Sequence, residues 1–470
     1  MTTIDQCASL SQRVTRLFQT ALFALKVSTR VRKGSILGAI RIGRFVAIVA
    51  SACVVAAFLS NFALSQDGEL SGSEAGQVRA RVQKLRGLKL NSDVPVTYLT
   101  VAQTESRFRT EFAQRMTQEE IDVGVAEGKM IGLYPSDLKI ERKDLADITM
   151  EIAGFYDDHH KDVVIIDRPI AIAIPEQYRS AVTIFKKLGN AGVLGHELTH
   201  ALQDQHFDIS TAQKKNKGDT DRELAYKAIV EGDATLSGFS VSIGRVDDQT
   251  IDYFDTHLQD IVPIFMGRTE GKPRAMTYPF IFQYTEGAHF VAEAYHRKGW
   301  DGVNALFKGP RLSTQQIMHP ELYFDTPTPA KTVKLAGYEK VLGDWKKVDE
   351  DTLGELMLKI MIERTMGEQT PYVQEARKWA GDRIVTLQKG KALTVLWMLT
   401  FRDVSSADTF EQMYSGILDK ALPATTAHKI ERRGPALFVM IGDGANRNHE
   451  YIAEVWKQSR IDGAAIASDD

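Results

Sequence analysis

Two histidines and a glutamate have a spacing that could hold a metal ion and activate a water molecule. They lie in the stretch GHELTHALQD, residues 195–204. Because positions four apart share one face of a helix, His196 and His200 can direct their ring nitrogens at the same cation. Glu197 stands beside them, where a carboxylate can hold the water and accept its proton. The pattern predicts a zinc site in which Glu197 is the general base.

Two residues compete for the position of third ligand. His206 follows His200 by six residues, which is the spacing of HExxHxxGxxH sites, where a glycine ends the helix. That glycine position is Gln203 here, so we expect the helix to continue and to point His206 away from the ion. Glu231 lies on a second helical pattern and can deliver one oxygen from a crossing helix. We therefore predict His196, His200 and Glu231 as the ligands, with His206 as the alternative to Glu231.

The residues around these two helices resemble a known family. HELTHALQDQHFD, residues 196–208, followed by AIVEGDAT, residues 228–235, is similar to the gluzincin type of zinc metallopeptidase, in particular to bacterial membrane-anchored or secreted peptidases. The resemblance extends from about residue 94 into the C-terminal region, through residues 282–287, 312–323 and 379–383. It implies Zn²⁺ on the three predicted ligands, Glu197 as the general base, and an upstream hairpin whose edge strand receives an extended peptide.

The sequence departs from the best-known gluzincin pattern at one position. In that pattern an aspartate follows the ligand glutamate by four residues and orients a ligand histidine. Thr235 occupies this position here. Asp233 and Asp204 are both candidates for the orienting role, since a ligand histidine usually donates its second N–H to a carboxylate or another acceptor.

The reaction also needs a donor that stabilises the oxyanion. A cationic or hydroxyl-bearing side chain near the metal can supply it. The sequence offers four candidates and does not choose among them: Tyr284, His289, His319 and Tyr323.

An uncharged run of 20 residues precedes the site. FVAIVASACVVAAFLSNFAL, residues 45–64, matches the thickness of the hydrocarbon core of a bilayer. Basic residues precede the run and acidic residues follow it, which favours a cytoplasmic N-terminus. We expect a single-pass anchor in the cytoplasmic membrane, with the remaining chain periplasmic or extracellular. A cleaved signal sequence, giving a secreted protein, and a buried core helix are the alternatives.

Length and hydrophobic patterning, together with the resemblance, predict an α+β fold in several parts. A chain of 470 residues exceeds the size of a single core. We expect a zincin-like metallopeptidase fold, in which a β-hairpin around the turn 157–161 precedes the HExxH helix and a mixed α/β part follows. The predicted parts are a cytoplasmic segment 1–44, the transmembrane anchor 45–64, a linker and charged helix 65–90, a catalytic domain 91–330, and a C-terminal α/β part 331–470 packed on the catalytic domain.

Composition limits the classes of partner and of metal site. The formal net charge is -3, and the chain has neither a basic face nor a nucleic-acid-binding motif, so we do not expect nucleic acid as a partner. Both cysteines, Cys7 and Cys53, lie at or before the end of the apolar run. The chain after them therefore contains no disulfide and no thiolate ligand.

The sequence as a whole predicts zinc-dependent hydrolysis of peptide bonds in the cell envelope, with a protein or peptide as the substrate. Two alternatives remain. One is an envelope binding or scaffold protein that keeps the zinc site without catalysis, although a scaffold needs the ligands and not Glu197. The other is a zinc hydrolase of a non-peptide amide. The oligomeric state cannot be read from the sequence.

Overall fold

The computed structural model describes residues 72–104, 106–107, 117–141, 154–167, 189–258, 272–446 and 449–466, which all belong to one compact unit, Ala39–Asp470. These residues form a mixed α/β structure. The helices are α1 Gly72–Arg86, α2 Gln118–Met130, α3 Gly189–Phe207, α4 Ile209–Asn216, α5 Thr220–Ile243, α6 Asp248–Leu258, α7 Arg274–Tyr284, α8 Glu286–Lys308, α9 Thr314–Met318, α10 Glu321–Phe324, α11 Gly354–Met366, α12 Val373–Ala376, α13 Val404–Ala421 and α14 His449–Gln458. Two short 3₁₀ helices are Tyr338–Lys340 and Asp443–Asn446. The strands are β1 Val96–Thr100, β2 Gly154–Asp157, β3 Asp162–Asp167, β4 Val333–Lys334, β5 Lys346–Asp351, β6 Trp379–Lys389, β7 Ala392–Phe401, β8 His428–Arg433, β9 Ala436–Gly442, β10 Arg460–Ile461 and β11 Ala464–Ala465.

A small sheet lies against the helix that carries the HExxH motif. Its strand order is β1-β3-β2. β2 and β3 pair antiparallel, from Gly154↔Ile165 to Asp157↔Asp162, so the predicted hairpin is present. β1 pairs with β3 in parallel, which local patterns do not reveal because the two segments are far apart in the sequence. β2 is therefore an edge strand of this sheet, and it packs against α3.

Glycines allow the helix α5 to approach both of its neighbours closely. A Cβ atom on Gly238 of α5 would lie 2.8 Å from the backbone oxygen of Gly192 in α3. A Cβ atom on Gly232 would lie 2.3 Å from the backbone oxygen of Gly287 in α8. Side chains larger than hydrogen do not fit at such distances. Backbone contacts at Gly238 and at Gly232, the neighbour of Glu231, thus set the position of α5 between α3 and α8.

The larger sheet is covered on both faces. Its order is β5-β6-β7-β9-β8, with every neighbouring pair antiparallel. Since successive strand residues point to opposite faces, Trp397 and Leu399 of β7 enter the main hydrophobic cluster, which also holds residues of α11 and α13. Leu396 and Met398 enter a second cluster with residues of α14. This explains why β7 is a continuous hydrophobic run.

The first turn of α5 is hydrogen-bonded to the edge of this sheet. The backbone N–H of Thr220 donates to Asp351 Oδ1 at 2.7 Å, and the N–H of Asp221 donates to the carbonyl oxygen of Thr352 at 3.0 Å. Helix N-termini carry N–H groups without partners inside the helix, and such acceptors satisfy them. Residues beyond 331 therefore anchor the helix that carries Glu231. The domain boundary at residue 330 stays a prediction.

The structure contradicts the predicted membrane-spanning element of the fold and the single-pass membrane location derived from it. In the part of the chain that is described, no helix combines the length and the apolar character needed to cross a bilayer. The longest of these helices, α5, has 24 residues but includes Arg222, Lys227 and Asp233, charges that a bilayer core accepts only at high cost. The run 45–64 lies outside the described residues.

Candidate metal centre

Helix α3 brings His196, Glu197 and His200 to one buried place. Its apolar stripe packs inward, because Leu194, Leu198, Ala201 and Leu202 are almost fully buried in the main hydrophobic cluster. The three polar side chains on the adjoining face are buried as well, with relative exposures of 2%, 3% and 9%. Burying three ionisable groups is costly unless they are paired or bind an ion. The arrangement therefore needs an explanation beyond packing.

Glu231 of α5 completes a compact triangle of possible metal ligands. The Nε2 atoms of His196 and His200 lie 3.0 Å apart. Glu231 Oε2 lies 3.3 Å from the first nitrogen and 3.4 Å from the second. These residues form a group of side chains that could hold a metal ion.

The dimensions of the triangle fit a tetrahedral zinc ion. With bonds of about 2.0–2.2 Å at tetrahedral angles, neighbouring ligand atoms lie about 3.3 Å apart. Glu231 Oε2 is also buried without a hydrogen-bond partner among the described residues. A buried carboxylate oxygen that faces two ring nitrogens, at 3.3 and 3.4 Å, is suited to a cation. The fit concerns the protein ligands and does not by itself identify the metal.

The charges of the site reinforce one another. Burial disfavours a charged His200, but the nearby Glu231 and Glu197 outweigh it and raise the pKa of His200 to about 9. Burial would raise the pKa of Glu231, yet the two imidazoles hold it well below its usual range. Burial raises the pKa of Glu197, Glu231 acts in the same direction, and the imidazoles and the backbone N–H of Tyr156 oppose them. The Glu231 carboxylate and a protonated His200 therefore stabilise each other.

His200 is connected to a buried hydrogen-bond network that the sequence did not reveal. Its Nδ1 lies 2.9 Å from Gln203 Oε1, and Gln203 Nε2 lies 2.9 Å from Asp233 Oδ2. Asp233 is paired with Arg86 of α1, whose Nε lies 3.0 Å from Asp233 Oδ1. Asp233 thus reaches the ligand histidine only through Gln203. Arg86 belongs to a charged helix, and its sequence context gives no sign that the side chain is buried.

Three further residues that the sequence singled out, Asp204, Thr235 and His206, have other surroundings. Asp204 accepts hydrogen bonds from Tyr156 Oη at 2.8 Å and from Lys161 Nζ at 2.6 Å, which ties the hairpin to α3. Thr235 Oγ1 is buried without a hydrogen-bond partner in the described part of the chain. His206 is turned away from the triangle, since its Nε2 contacts the carbonyl oxygen of Lys89 at 2.7 Å.

Of the four candidate oxyanion donors, Tyr284 is the one whose ring lies beside that of a predicted metal ligand, His196. Its ring is buried and lies 6.4 Å, centre to centre, from the ring of His196. His289 is paired with Asp255 at 2.9 Å, and His319 with Glu355 at 2.8 Å. The ring of Tyr323 packs against two phenylalanines, Phe290 and Phe324.

A second group of possible ligands lies on the hairpin: Asp157, His160 and Asp162. The positive charge that faces these three side chains is supplied by an arginine of the same chain. Arg107 forms an ion pair with Asp157, and its NH2 lies 2.9 Å from His160 Nδ1 and 3.3 Å from Asp162 Oδ1. The guanidinium therefore occupies the place that a cation would take, and we assign this group a structural role.

Comparison with known families finds one match, outside the candidate site. A family described as "Domain of unknown function (DUF8575)" matches residues 339–459. This region contains β5 to β9 and α11 to α14, and none of the three candidate ligands. Neither the curated proteins nor the solved structures contain a match to the chain. The family match therefore assigns no function to the candidate ligands.

Proposed function

We propose that the chain is a zinc-dependent hydrolase that cleaves peptide bonds, with Zn²⁺ held by His196, His200 and Glu231. The observation that carries this proposal is the buried triangle of ligand atoms, 3.0 to 3.4 Å apart, with Glu197 adjacent on the same helix. A metal site without catalysis needs the three ligands but not Glu197, a fourth ionisable group whose burial costs stability. Glu197 therefore favours an enzyme over a scaffold.

In the proposed reaction the chain positions the reactants and moves one proton. Zinc bound at the triangle would polarise the scissile carbonyl and acidify a water. Glu197 accepts the proton of that water and then passes it to the leaving amine nitrogen. Burial raises the pKa of Glu197, which makes its carboxylate a stronger base than an exposed glutamate. Tyr284 is our choice for the oxyanion donor, because it is the candidate beside a ligand.

The position of the edge strand supports a peptide as the substrate. β2 is an edge of its sheet, packs on α3, and directs the backbone N–H of Tyr156 towards Glu197. An extended peptide can add to an exposed strand edge through main-chain hydrogen bonds. A peptide bound along β2 would therefore pass beside the proposed base. A small non-peptide amide would gain nothing from this edge.

The replacement Glu197→Gln tests the proposal. The amide keeps the shape of the side chain but cannot accept the proton, so we expect stoichiometric zinc and a loss of turnover of about 10²–10⁴-fold. Zinc is measured by elemental analysis and turnover by cleavage of an unfolded protein and of a peptide library. Glu119→Gln, at an exposed position on α2, is the matched control and should cleave like the parent.

Three results would count against the proposal. A Glu197→Gln protein that cleaves as fast as the parent would remove the assigned base. A parent that binds zinc but cleaves neither kind of substrate would favour a binding or scaffold role. A parent that binds no zinc would exclude the metal centre itself.

A further inference from the structure

We propose that Gln203 is a positioning residue, which fixes His200 in the tautomer that carries its proton on Nδ1 and presents Nε2 to the metal. This inference rests on the proposed metal centre. It assigns to a glutamine on the site helix a role that neither aspartate predicted from the sequence performs by direct contact with the imidazole.

The orientation of the Gln203 amide follows from its surroundings. The side chain is fully buried, and its Nε2 lies 2.9 Å from the carbonyl oxygen of Val230 and 2.9 Å from Asp233 Oδ2. A backbone carbonyl and a carboxylate can only accept hydrogen bonds. This end of the amide must therefore be the NH₂ group, and the opposite assignment would place three acceptors together.

The tautomer of His200 follows from the orientation of the amide. The remaining end of Gln203 is its oxygen, which lies 2.9 Å from His200 Nδ1. Since an amide oxygen only accepts, Nδ1 must be the nitrogen that donates. In the neutral ring, Nε2 then keeps its lone pair, and this nitrogen is the one that faces Glu231 Oε2 at 3.4 Å. The network thus selects the nitrogen that belongs to the triangle.

The network acts on one of the two histidines. His196 Nδ1 is buried and has no hydrogen-bond partner among the described residues. Gln203 is therefore the residue that sets the ring orientation of an imidazole ligand through a side-chain contact. Such partners fix the ring and increase the basicity of the ligand nitrogen, and their loss typically weakens metal binding about 10–100-fold.

Arg86 holds the far end of the network in place. Its NH2 lies 3.1 Å from Asp233 Oδ2 and 2.9 Å from Asn304 Oδ1, and its guanidinium covers the ring of Trp300 at 4.3 Å. Both charged side chains are fully buried, so removing either would leave an unpaired buried charge. The helices α1, α5 and α3 are joined in this way to one metal ligand.

The tautomer can be read first in the unaltered protein. Nitrogen-15 NMR of ring-labelled, zinc-loaded protein should show a protonated Nδ1 and a metal-bound Nε2 on His200, with the signal assigned by its absence in His200→Ala. Zinc on Nδ1, or a proton on Nε2, would overturn the inference. If the parent binds no zinc, the proposed function fails and the inference about Gln203 can still be tested. The tautomer is then read in the metal-free protein, in a pH titration that is continued until the nitrogen-15 signals of His200 are those of a neutral ring.

The replacement Gln203→Met tests the consequence for the metal. Methionine has a similar shape but cannot accept the Nδ1 proton. We expect zinc affinity to fall about 10–100-fold in a chelator competition, and the single Nδ1–H signal of His200 to be replaced by a mixture of tautomers. Gln205→Met, two residues further along α3, controls for the change in helix composition, since Gln205 contacts residues 91 and 92 rather than the site. Circular dichroism confirms that both variants are folded. Parent-like affinity together with an unchanged His200 signal in Gln203→Met would show that the amide does not position the ligand.

Discussion

Glu231 faces both imidazole nitrogens of the triangle, whereas His206 contacts a backbone carbonyl on another segment. The sequence left these two residues as alternatives for the third ligand, and their surroundings in the structure distinguish them. Glu231 Oε2 is buried without a hydrogen bond among the described residues, while His206 has a partner of its own. The geometry therefore favours the pair of crossing helices over a continuation of the HExxH stretch.

Replacing Glu231 with Gln should remove most of the zinc affinity. An amide oxygen carries no charge and is a weaker ligand than a carboxylate. We therefore expect a loss of at least about 100-fold, which is the upper end of the effect of losing a residue that only orients a ligand. His206→Ala is the comparison and should bind zinc like the parent. Both are measured by chelator competition at pH 7. If Glu231→Gln kept its full zinc affinity and His206→Ala lost it, the assignment of the third ligand would be reversed.

At the scale of residues, the sequence predicted what local geometry determines. His196, Glu197 and His200 follow from one turn of helix, and Glu231 follows from the acid on the next long helical pattern. The sequence singled out Gln203 only because it stands at the glycine position of the HExxHxxGxxH pattern. Its contact with His200 lies within α3, but its contact with Asp233 depends on where α5 crosses α3, and no local pattern contains that information.

At the scale of elements, the close approach of α5 to α8 positions Glu231. Gly232 is the next residue in the chain, and its Cα faces the backbone of Gly287. The sequence showed the helical pattern but not the two glycines as a contact, because they belong to different helices. The parallel pairing of β1 with β3 was missed for a similar reason. The hairpin β2–β3 was predicted because its pairing is local.

Gly232→Ala should destabilise the protein and weaken the metal centre. The new methyl group would lie 2.3 Å from a backbone oxygen, so the helices must separate, at a cost of about 1–3 kcal/mol in the free energy of unfolding. Because the shift also moves Glu231, zinc affinity should fall in parallel. Urea unfolding and chelator competition measure the two effects.

The matched control is Gly416→Ala on α13. Apart from its chain neighbours and the backbone of its own helix, a Cβ atom there meets nothing within 4 Å, so alanine should stabilise this helix by about 0.5–1 kcal/mol. An equal response of the two variants would mean that the glycine contact between α5 and α8 has no structural importance.

At the scale of the whole molecule, buried acids link the larger sheet to the rest of the fold. Asp351 of β5 accepts the N–H of Thr220 at the start of α5, and Glu127 of α2 accepts a hydrogen bond from Thr386 of β6. Burial raises the pKa of Asp351 to about 7 and that of Glu127 to about 8, although the hydroxyl donors oppose the shift. The family match covers β5 and β6 but neither of the two helices, since α2 and α5 both precede it in the sequence.

Because these two buried acids have raised pKa values, we predict that the free energy of unfolding decreases as pH increases. The unfolded chain ionises Glu127 near 4.5, whereas the folded protein holds the proton up to about pH 8. Between these values the folded state binds more protons, so the free energy of unfolding falls as pH rises and the stabilising contribution is lost by about pH 8. Glu127→Gln keeps an acceptor for Thr386 and removes the ionisation. The variant should lose less stability than the parent between pH 5 and pH 8.5, by at least about 1.4 kcal/mol, the equivalent of one pKa unit.

Urea unfolding at the two pH values measures this difference, and Glu119→Gln on the same helix is the control. Because Glu119 is exposed, its replacement should leave the parent's pH dependence unchanged. If parent and Glu127→Gln lost the same stability between the two pH values, the proton on Glu127 would not contribute to folding. If the pH dependence disappears only in Glu127→Gln, its origin is the contact between α2 and β6, which is far in sequence from the proposed metal ligands and belongs to the same folded unit.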